Sequence, residues 1–484
     1  MSEAISTLHY AVRPAVITRY LGQLALMLAV LILAPLLVSL FFHEYFLSWR
    51  YLIVVAVLTI LGLLSRKIPS SRDIQDNEAL MLTALAFSIT PLIMSFPLMG
   101  SGLSFIDAWF EAVSAITTTG LTTVQHLPQK PHTFLFGRAW MQWYGGLGIV
   151  VLSVALLMGH QFALKRLIAV ESENIMTTAR VYAQRMLYVY STLTFLGVLI
   201  LWWLLGDFFN ALNHVLAAVS TGGFSTMDNS LAGLPGWPAR YTVILLGLLG
   251  SFPLVIYYRL MKGNWRLVLH DPEIKVLLFV ALIVCVLLSI DVKFDLHFPW
   301  RDALEHGFLL GLSAQTTSGF TSLDVNQLST SSLIILIVAM SIGGASGSTA
   351  GGIKILRFII LFRFLQLLFQ RTALPSHAIV NPHIGDKALE NEDISRALAL
   401  IILYGLVIFL SWVVFLLYDY PPVQALFEVA SATGTVGLSC GITTATMPTL
   451  LKLVLGFDML LGRLEIVALL IVFYPLNWLG KRRE

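Results

Sequence analysis

Charge is what this chain has least of. Lys, Arg, Asp and Glu make up 12% of its 484 residues, apolar residues make up 57%, and mean hydropathy is +0.83. A soluble domain carries about twice that charge, so a water-soluble globule is excluded. Cysteine is scarcer still. Cys285 and Cys440 are the only two, and their separation gives neither a disulfide framework nor a paired metal signature. The 11 histidines are scattered without ligand spacing. No dinucleotide fingerprint occurs. The run from Gly344 to Lys354 has a phosphate loop's glycine content but no Gly-Lys-Ser/Thr, because Ile353 separates Gly352 from Lys354. No nucleotide site is therefore expected on this chain, and no nucleic-acid partner. Gly437-Leu-Ser439-Cys-Gly441 fits the nucleophile-elbow spacing, but its surroundings offer no strand–turn–helix. No enzyme is expected.

What the chain has in quantity is long apolar runs. They cover roughly 21–42, 46–64, 79–99, 134–158, 187–206, 241–258, 274–290, 333–369, 397–418 and 453–479, and a helix needs about 20 such residues to cross a bilayer. The first run exceeds a secretory h-region and no small-x-small site follows it, so it is expected to be a membrane span. The termini and alternate loops carry 22 of the 30 Lys and Arg residues. That bias places both termini in the cytoplasm. The opposite side collects acids such as Glu44, Asp107, Glu111, Asp228, Asp324 and Glu428, which raise the local cation concentration.

Four times, on the acidic side, a hydroxyl-rich glycine turn separates two apolar runs. The copies are Thr117 to Thr123, Ser220 to Thr226, Thr316 to Ser322 and Gly434 to Cys440, with Gly120, Gly223, Gly319 and Gly437 aligned. These glycines lie 103, 96 and 118 residues apart. Six and five residues earlier stand Ser114-Ala115, Ala217-Ala218, Ser313-Ala314 and Ser431-Ala432, small enough for four short helices to approach a shared axis. Nine residues earlier the copies diverge, with Glu111, His214, Leu310 and Glu428. Ser104, three residues before Asp107, is placed to cap the first short helix. These stretches are too short to span and read as re-entrant half-helices.

The expected fold is an all-α polytopic membrane protein with ten spans. Two leading helices (1–70) precede four helix–pore loop–helix repeats around a pseudo-fourfold axis, at 71–165, 166–265, 266–390 and 391–484. The candidate ion-lining residues are Thr118, Thr119 and Gly120; Thr221, Gly222 and Gly223; Thr317, Ser318 and Gly319; and Thr435, Val436 and Gly437. Their carbonyls would replace the water shell of a dehydrated cation. Thr118-Thr119-Gly120 resembles the Thr-Val-Gly opening of a potassium-channel filter, and Thr435-Val436-Gly437 matches it letter for letter.

The eighth apolar run contains Gly343, Gly344, Gly347, Gly351 and Gly352, which no stable helix interior tolerates. As one helix, 331–371 would be about 60 Å long. A helix, an intramembrane loop ending near Lys354 and a second helix are expected, the loop lying on the cytoplasmic side of the third turn, where its flexibility suits a gate. Arg463 sits mid-span and needs a partner, either the carbonyls of that loop or Glu465. Arg138 is expected to snorkel outward and is given no role.

The four turns, the run Gly343 to Lys354 and the segment Asp458 to Glu465 resemble the Trk/Ktr/HKT superfamily of potassium transporters, specifically its Trk-type (TrkH/TrkG) membrane subunit. The likeness covers essentially the whole chain, and the two extra helices at 21–64 favour the Trk type. It implies K+ as the transported ion, an intramembrane gating loop, a homodimer in bacterial inner-membrane lipid, and a cytoplasmic nucleotide-binding partner of the RCK type (TrkA-like). In plant relatives serine at the first filter position goes with sodium, so Gly120 argues for potassium. Gly222 and Val436 make the four loops chemically unequal. The basic residues in the loops at 159–185 and 259–275 most simply satisfy topology, and the loops are expected to be exposed docking surface for a cytoplasmic partner as well. Two readings remain: a channel-like uptake pore, favoured by four same-direction repeats, and a proton- or sodium-coupled secondary transporter.

Overall fold

The computed structural model describes residues 11–69, 74–157, 175–263, 265–373, 383–384 and 387–479. The expected boundaries at 70/71 and 165/166, and most of the basic loop 159–185, lie outside the described residues. The chain is mostly helical. Two apolar helices, α1 (Pro14–Phe41) and α2 (Tyr45–Ser65), form a leading hairpin. Then come α3 (Asp76–Leu98), α4 (Phe105–Ile116) and α5 (His132–Leu157); α6 (Ile175–Leu205), α7 (Phe208–Val219), α8 (Trp237–Gly250), α9 (Leu254–Met261) and α10 (Trp265–Leu269); α11 (Pro272–Asp295), α12 (Trp300–Gln315), α13 (Thr330–Ile342) and α14 (Ile355–Thr372); and α15 (Asn391–Leu416), α16 (Pro422–Thr433), α17 (Thr449–Arg463), α18 (Val467–Phe473) and α19 (Leu476–Leu479). A two-residue antiparallel pair, His383–Ile384 with Lys387–Ala388, is the only strand pairing among the described residues.

Six of these helices are long and apolar enough to cross a membrane: α1, α2, α3, α6, α11 and α15. Met27, Leu37, Trp203, Phe369 and Ile402 are each more than 60% exposed. That outward apolar surface exceeds anything a monomeric soluble protein presents.

Three of the expected spans are interrupted. The glycine run breaks 333–369 between α13 and α14, as anticipated. The run 241–258 is not one helix: α8 and α9 meet at 91°, because Pro253 lacks the amide hydrogen that would continue the helix. The run 453–479 breaks after Arg463, where Glu465 (φ 53°) and Ile466 (φ 63°) adopt left-handed backbone. Hydropathy averages over such breaks and cannot see them.

The short helices organise the core. Each packs against its own preceding long helix: α4 on α3, α7 on α6, α12 on α11 and α16 on α15. Each following helix also packs on the next short helix: α5 on α7, α8 on α12, α13 on α16 and α17 back on α4. The contact order closes on itself. The leading hairpin is clamped from outside, since Glu44 accepts the backbone N–H groups of His132 (2.8 Å) and Thr133 (2.9 Å) at the start of α5, a carboxylate where the helix dipole favours one. Glu44→Ala should therefore cost about 1–2 kcal/mol, read as a lower unfolding temperature in detergent. An unchanged melting curve would remove the clamp.

Candidate functional site

All four short helices end alike. Thr118, Thr221, Thr317 and Thr435 have φ of 54°, 53°, 55° and 49°, a left-handed conformation that costs a β-branched residue roughly 1–3 kcal/mol. Each end is closed by a paired cap. The next residue's N–H (Thr119, Gly222, Ser318, Val436) bonds the carbonyl of Ser114, Ala217, Ser313 or Ser431 at 2.7–2.9 Å, and the threonine N–H bonds the following alanine carbonyl at 2.9–3.2 Å. The small pair seen in sequence thus supplies the acceptors of a Schellman cap. Two of the terminal carbonyls of each short helix are consumed this way, so the half-helix ends are less free than the sequence reading assumed.

The glycines that follow meet in a closed ring. A Cβ on Gly120 would collide with the Gly222 carbonyl, one on Gly223 with that of Ser318, one on Gly319 with that of Val436, and one on Gly437 with that of Thr119. Each turn therefore presses its glycine Cα on the carbonyl of the next, in the order one, two, three, four, one. All twelve candidate ion-lining residues lie in these four turns. The Oγ1 atoms of Thr118 and Thr435 are buried and make no hydrogen bond among the described residues.

The divergent position nine residues upstream has a common task. Glu111 accepts the Thr122 hydroxyl (2.7 Å) and the Thr123 N–H (2.8 Å); His214 Nε2 pairs with Ser225 Oγ (2.9 Å); Glu428 accepts the Ser439 hydroxyl (2.5 Å), the Cys440 N–H (3.1 Å) and the Thr443 hydroxyl (3.0 Å). Each holds the limb that leaves its own glycine. In the third turn Leu310 cannot, and His306 bonds Ser322 (2.8 Å) instead.

Arg138 does not snorkel. It is 1% exposed and pairs with the fully buried Glu111 (Nη1–Oε2 3.0 Å). Its Nη2 donates to the Ser225 carbonyl at 3.3 Å, and its guanidinium lies 4.9 Å from the Phe134 ring and 4.4 Å from that of Phe224. An arginine at the fifth position of an apolar run read as a membrane-edge residue; only the fold puts Glu111 opposite it. Gln142, one turn on, was also missed. Its amide donates to the Gly222 carbonyl and its Oε1 accepts the Phe224 N–H (3.3 Å). Glutamine faces Gly222, whereas Gly247 on α8 faces Ser318, so the side chain missing on one surface is present on the other.

The glycine run 343–354 packs against the inner ends of these turns. Gly351 N–H donates to Thr317 Oγ1 (2.7 Å) and Gly352 N–H to the Gly434 carbonyl (3.0 Å). A side chain on Gly351 would strike Thr435. Thr349 Oγ1 donates to the carbonyls of Val219 (3.1 Å) or Gly250 (3.0 Å). Gln315 donates to the Gly343 carbonyl at 2.8 Å and Glu273 accepts the Ser346 N–H at 2.6 Å. The loop is also zipped to the α8–α9 bend by backbone bonds from Ala345 to Ser251, Thr349 to Gly250 and Leu254 to Gly347, each 3.2 Å. Gly344 accepts from Ile355 N–H (3.0 Å), and Lys354 Nζ turns back to the Ala350 carbonyl. Arg463 Nη1 donates to the Thr349 carbonyl at 2.7 Å. Of the two partners considered for Arg463, the loop carbonyl is the one found, because Glu465 pairs with Arg357.

The sequence matches the TrkH family of cation transport proteins over residues 50–478. A cation transporter of Methanocaldococcus jannaschii, itself uncharacterized, is 31% identical over 95% of both chains. The Trk system potassium uptake proteins TrkH and TrkG of Escherichia coli K12 are 28% and 27% identical, each over 96% of this chain and 99% and 98% of their own lengths. The crystal structure of the potassium transporter TrkH from Vibrio parahaemolyticus superposes with a TM-score of 0.86 over 96% of this chain and all of that one, at 24% identity. These relatives are ion transporters, not enzymes.

Gly319 and Gly206 share φ of 68°, but nothing lies within 4 Å of a Cβ at Gly206. Gly206→Ala should cost about 1 kcal/mol, and Gly319→Ala several times more through backbone collision. Equal losses of thermal stability would mean that the ring contact is not tight.

Proposed function

The chain belongs to the TrkH family of cation transport proteins, and from that premise we propose that it carries potassium ions inward across a bacterial cytoplasmic membrane through the ring of four turns. One observation carries the reading: four glycine turns from a single chain close on one another while a fifth, glycine-rich loop is bonded to their inner ends. In this reading the chain has ten spans, two leading and eight in four helix–pore loop–helix repeats about a pseudo-fourfold axis, with both termini cytoplasmic. Backbone carbonyls of Thr118, Thr119, Thr221, Gly222, Thr317, Ser318, Thr435 and Val436, together with their glycines, take the place of the ion's water. The potential, negative inside, contributes about 2.3 kcal/mol per charge per 100 mV. Relatives bearing the name of a Trk system support a cytoplasmic regulatory partner, proposed to be RCK-type and nucleotide-binding, acting on a homodimer of this chain.

The loop 343–354 acts as the gate, with Gly343, Gly344, Gly347, Gly351 and Gly352 supplying its mobility and Lys354 and Arg463 fastening its carbonyls. Interrupted helices are also a habit of secondary transporters, and three interrupted second helices are the observation in favour of that alternative. Uptake against the potassium gradient that stops when a proton or sodium gradient is collapsed would select it.

Two outcomes follow in liposomes holding the purified chain. Gly223→Ser and Gly319→Ser should narrow the difference between rubidium and sodium flux; unchanged discrimination would remove these turns from the filter. Arg463→Ala should raise basal flux severalfold by freeing the Thr349 carbonyl, and flux at the wild-type level would leave the loop without a gating role.

A further inference from the structure

We propose that the buried Glu111–Arg138 pair, with Gln142, is a brace that determines which cation the ring accepts, by fixing the backbone spacing of the first and second turns. The proposal rests on the reading of the ring as an ion filter and deepens it, by locating discrimination unequally among four similar turns.

The brace reaches both turns through one guanidinium. On one side Arg138 holds Glu111, whose other oxygen carries the Thr122 hydroxyl and the Thr123 N–H of the first turn. On the other it holds the Ser225 carbonyl of the second turn. Phe134 and Phe224 lie against it, and Phe224 directly follows Gly223. Gln142 stands four residues further along α5, on the same helix face, and grips the second turn again at Gly222 and Phe224. The second turn is thus fastened from α5 at three residues, Gly222, Phe224 and Ser225, with no reliance on its own short helix for these bonds.

The other junctions are built of weaker material. The segment that follows the second turn meets the third turn through neutral bonds, Leu231 N–H to the Thr321 carbonyl (3.0 Å) and Thr321 N–H to Ser230 Oγ (3.2 Å). Glu428, the counterpart of Glu111, receives hydroxyls and backbone N–H groups. Lys452 and Asp107 do join the fourth unit to the first (2.6 Å), but at the far end of α4, about 14 Å along the helix from its capped terminus.

Telling potassium from sodium requires the carbonyl cage to resist closing on the smaller ion. A charge-assisted fork in a dry interior resists such small displacements better than neutral bonds do. Buried ion pairs add little net stability yet can fix one geometry. Lysine lacks the planar fork that serves a carboxylate and a carbonyl together.

The test is the rubidium-to-sodium permeability ratio of the full chain in liposomes, for wild type, Arg138→Lys, Glu111→Gln and Gln142→Ala, alongside melting temperature. The ratio should fall by about tenfold in Arg138→Lys and Glu111→Gln and by a smaller factor in Gln142→Ala, with rubidium flux retained. Variants that lose stability and pass both ions in the wild-type ratio would overturn the brace. If the two charge variants fail to assemble, Gln142→Ala decides, since it removes no charge: a lowered ratio supports the brace and an unchanged one overturns it. A wild type that conducts without discriminating would sink the filter reading and the brace together, whereas a selective wild type with equally selective variants would sink the brace alone.

Discussion

The structure depends on one close approach: the α-carbon of each turn's glycine resting on the carbonyl of the next turn. Nothing larger than hydrogen fits there, so four segments whose glycines run from Gly120 to Gly437 in sequence are held to a common geometry. The left-handed threonines before those glycines are affordable only because the ring and the paired caps over-determine them. The short helices, their caps and the helix-to-next-helix packing all serve to deliver that contact. The long apolar helices supply the surroundings in which irregular backbone can exist at membrane depth.

Much of this was legible in the residues. Periodic glycine, the small pair upstream, the glycine run and a lone arginine in an apolar stretch each signal a backbone requirement, and backbone requirements are local. Ser104 caps α4 as its spacing suggested, its Oγ accepting the Asp107 N–H at 3.1 Å. What stayed hidden depends on partners distant in sequence. Glu111 and Arg138 are 27 residues apart, Gln142 and Gly222 are 80 apart, and neither pairing has a pattern. The bends after Gly250 and Arg463 were hidden for another reason: their flanks are as apolar as any continuous span.

Similarity among the four turns is closest in backbone and loosest in side chains. The descending limb is held by a carboxylate twice, by an imidazole once and by a histidine from a different register once. Volume lost at Gly222 is restored by Gln142, and volume added at Ser318 is accommodated by Gly247. The ring fixes position, and within this one chain different side chains meet that requirement.

At least nine hydrogen bonds join the run 343–354 to its surroundings. If opening breaks half of them, at about 1 kcal/mol each, the unassisted open population is about one in a thousand. A cell whose survival depends on its ion gradients could then keep many copies of this chain in its membrane with little leakage. The work of opening would have to come from whatever grips the cytoplasmic face, so the energetic decision to admit an ion would be taken outside the hydrocarbon.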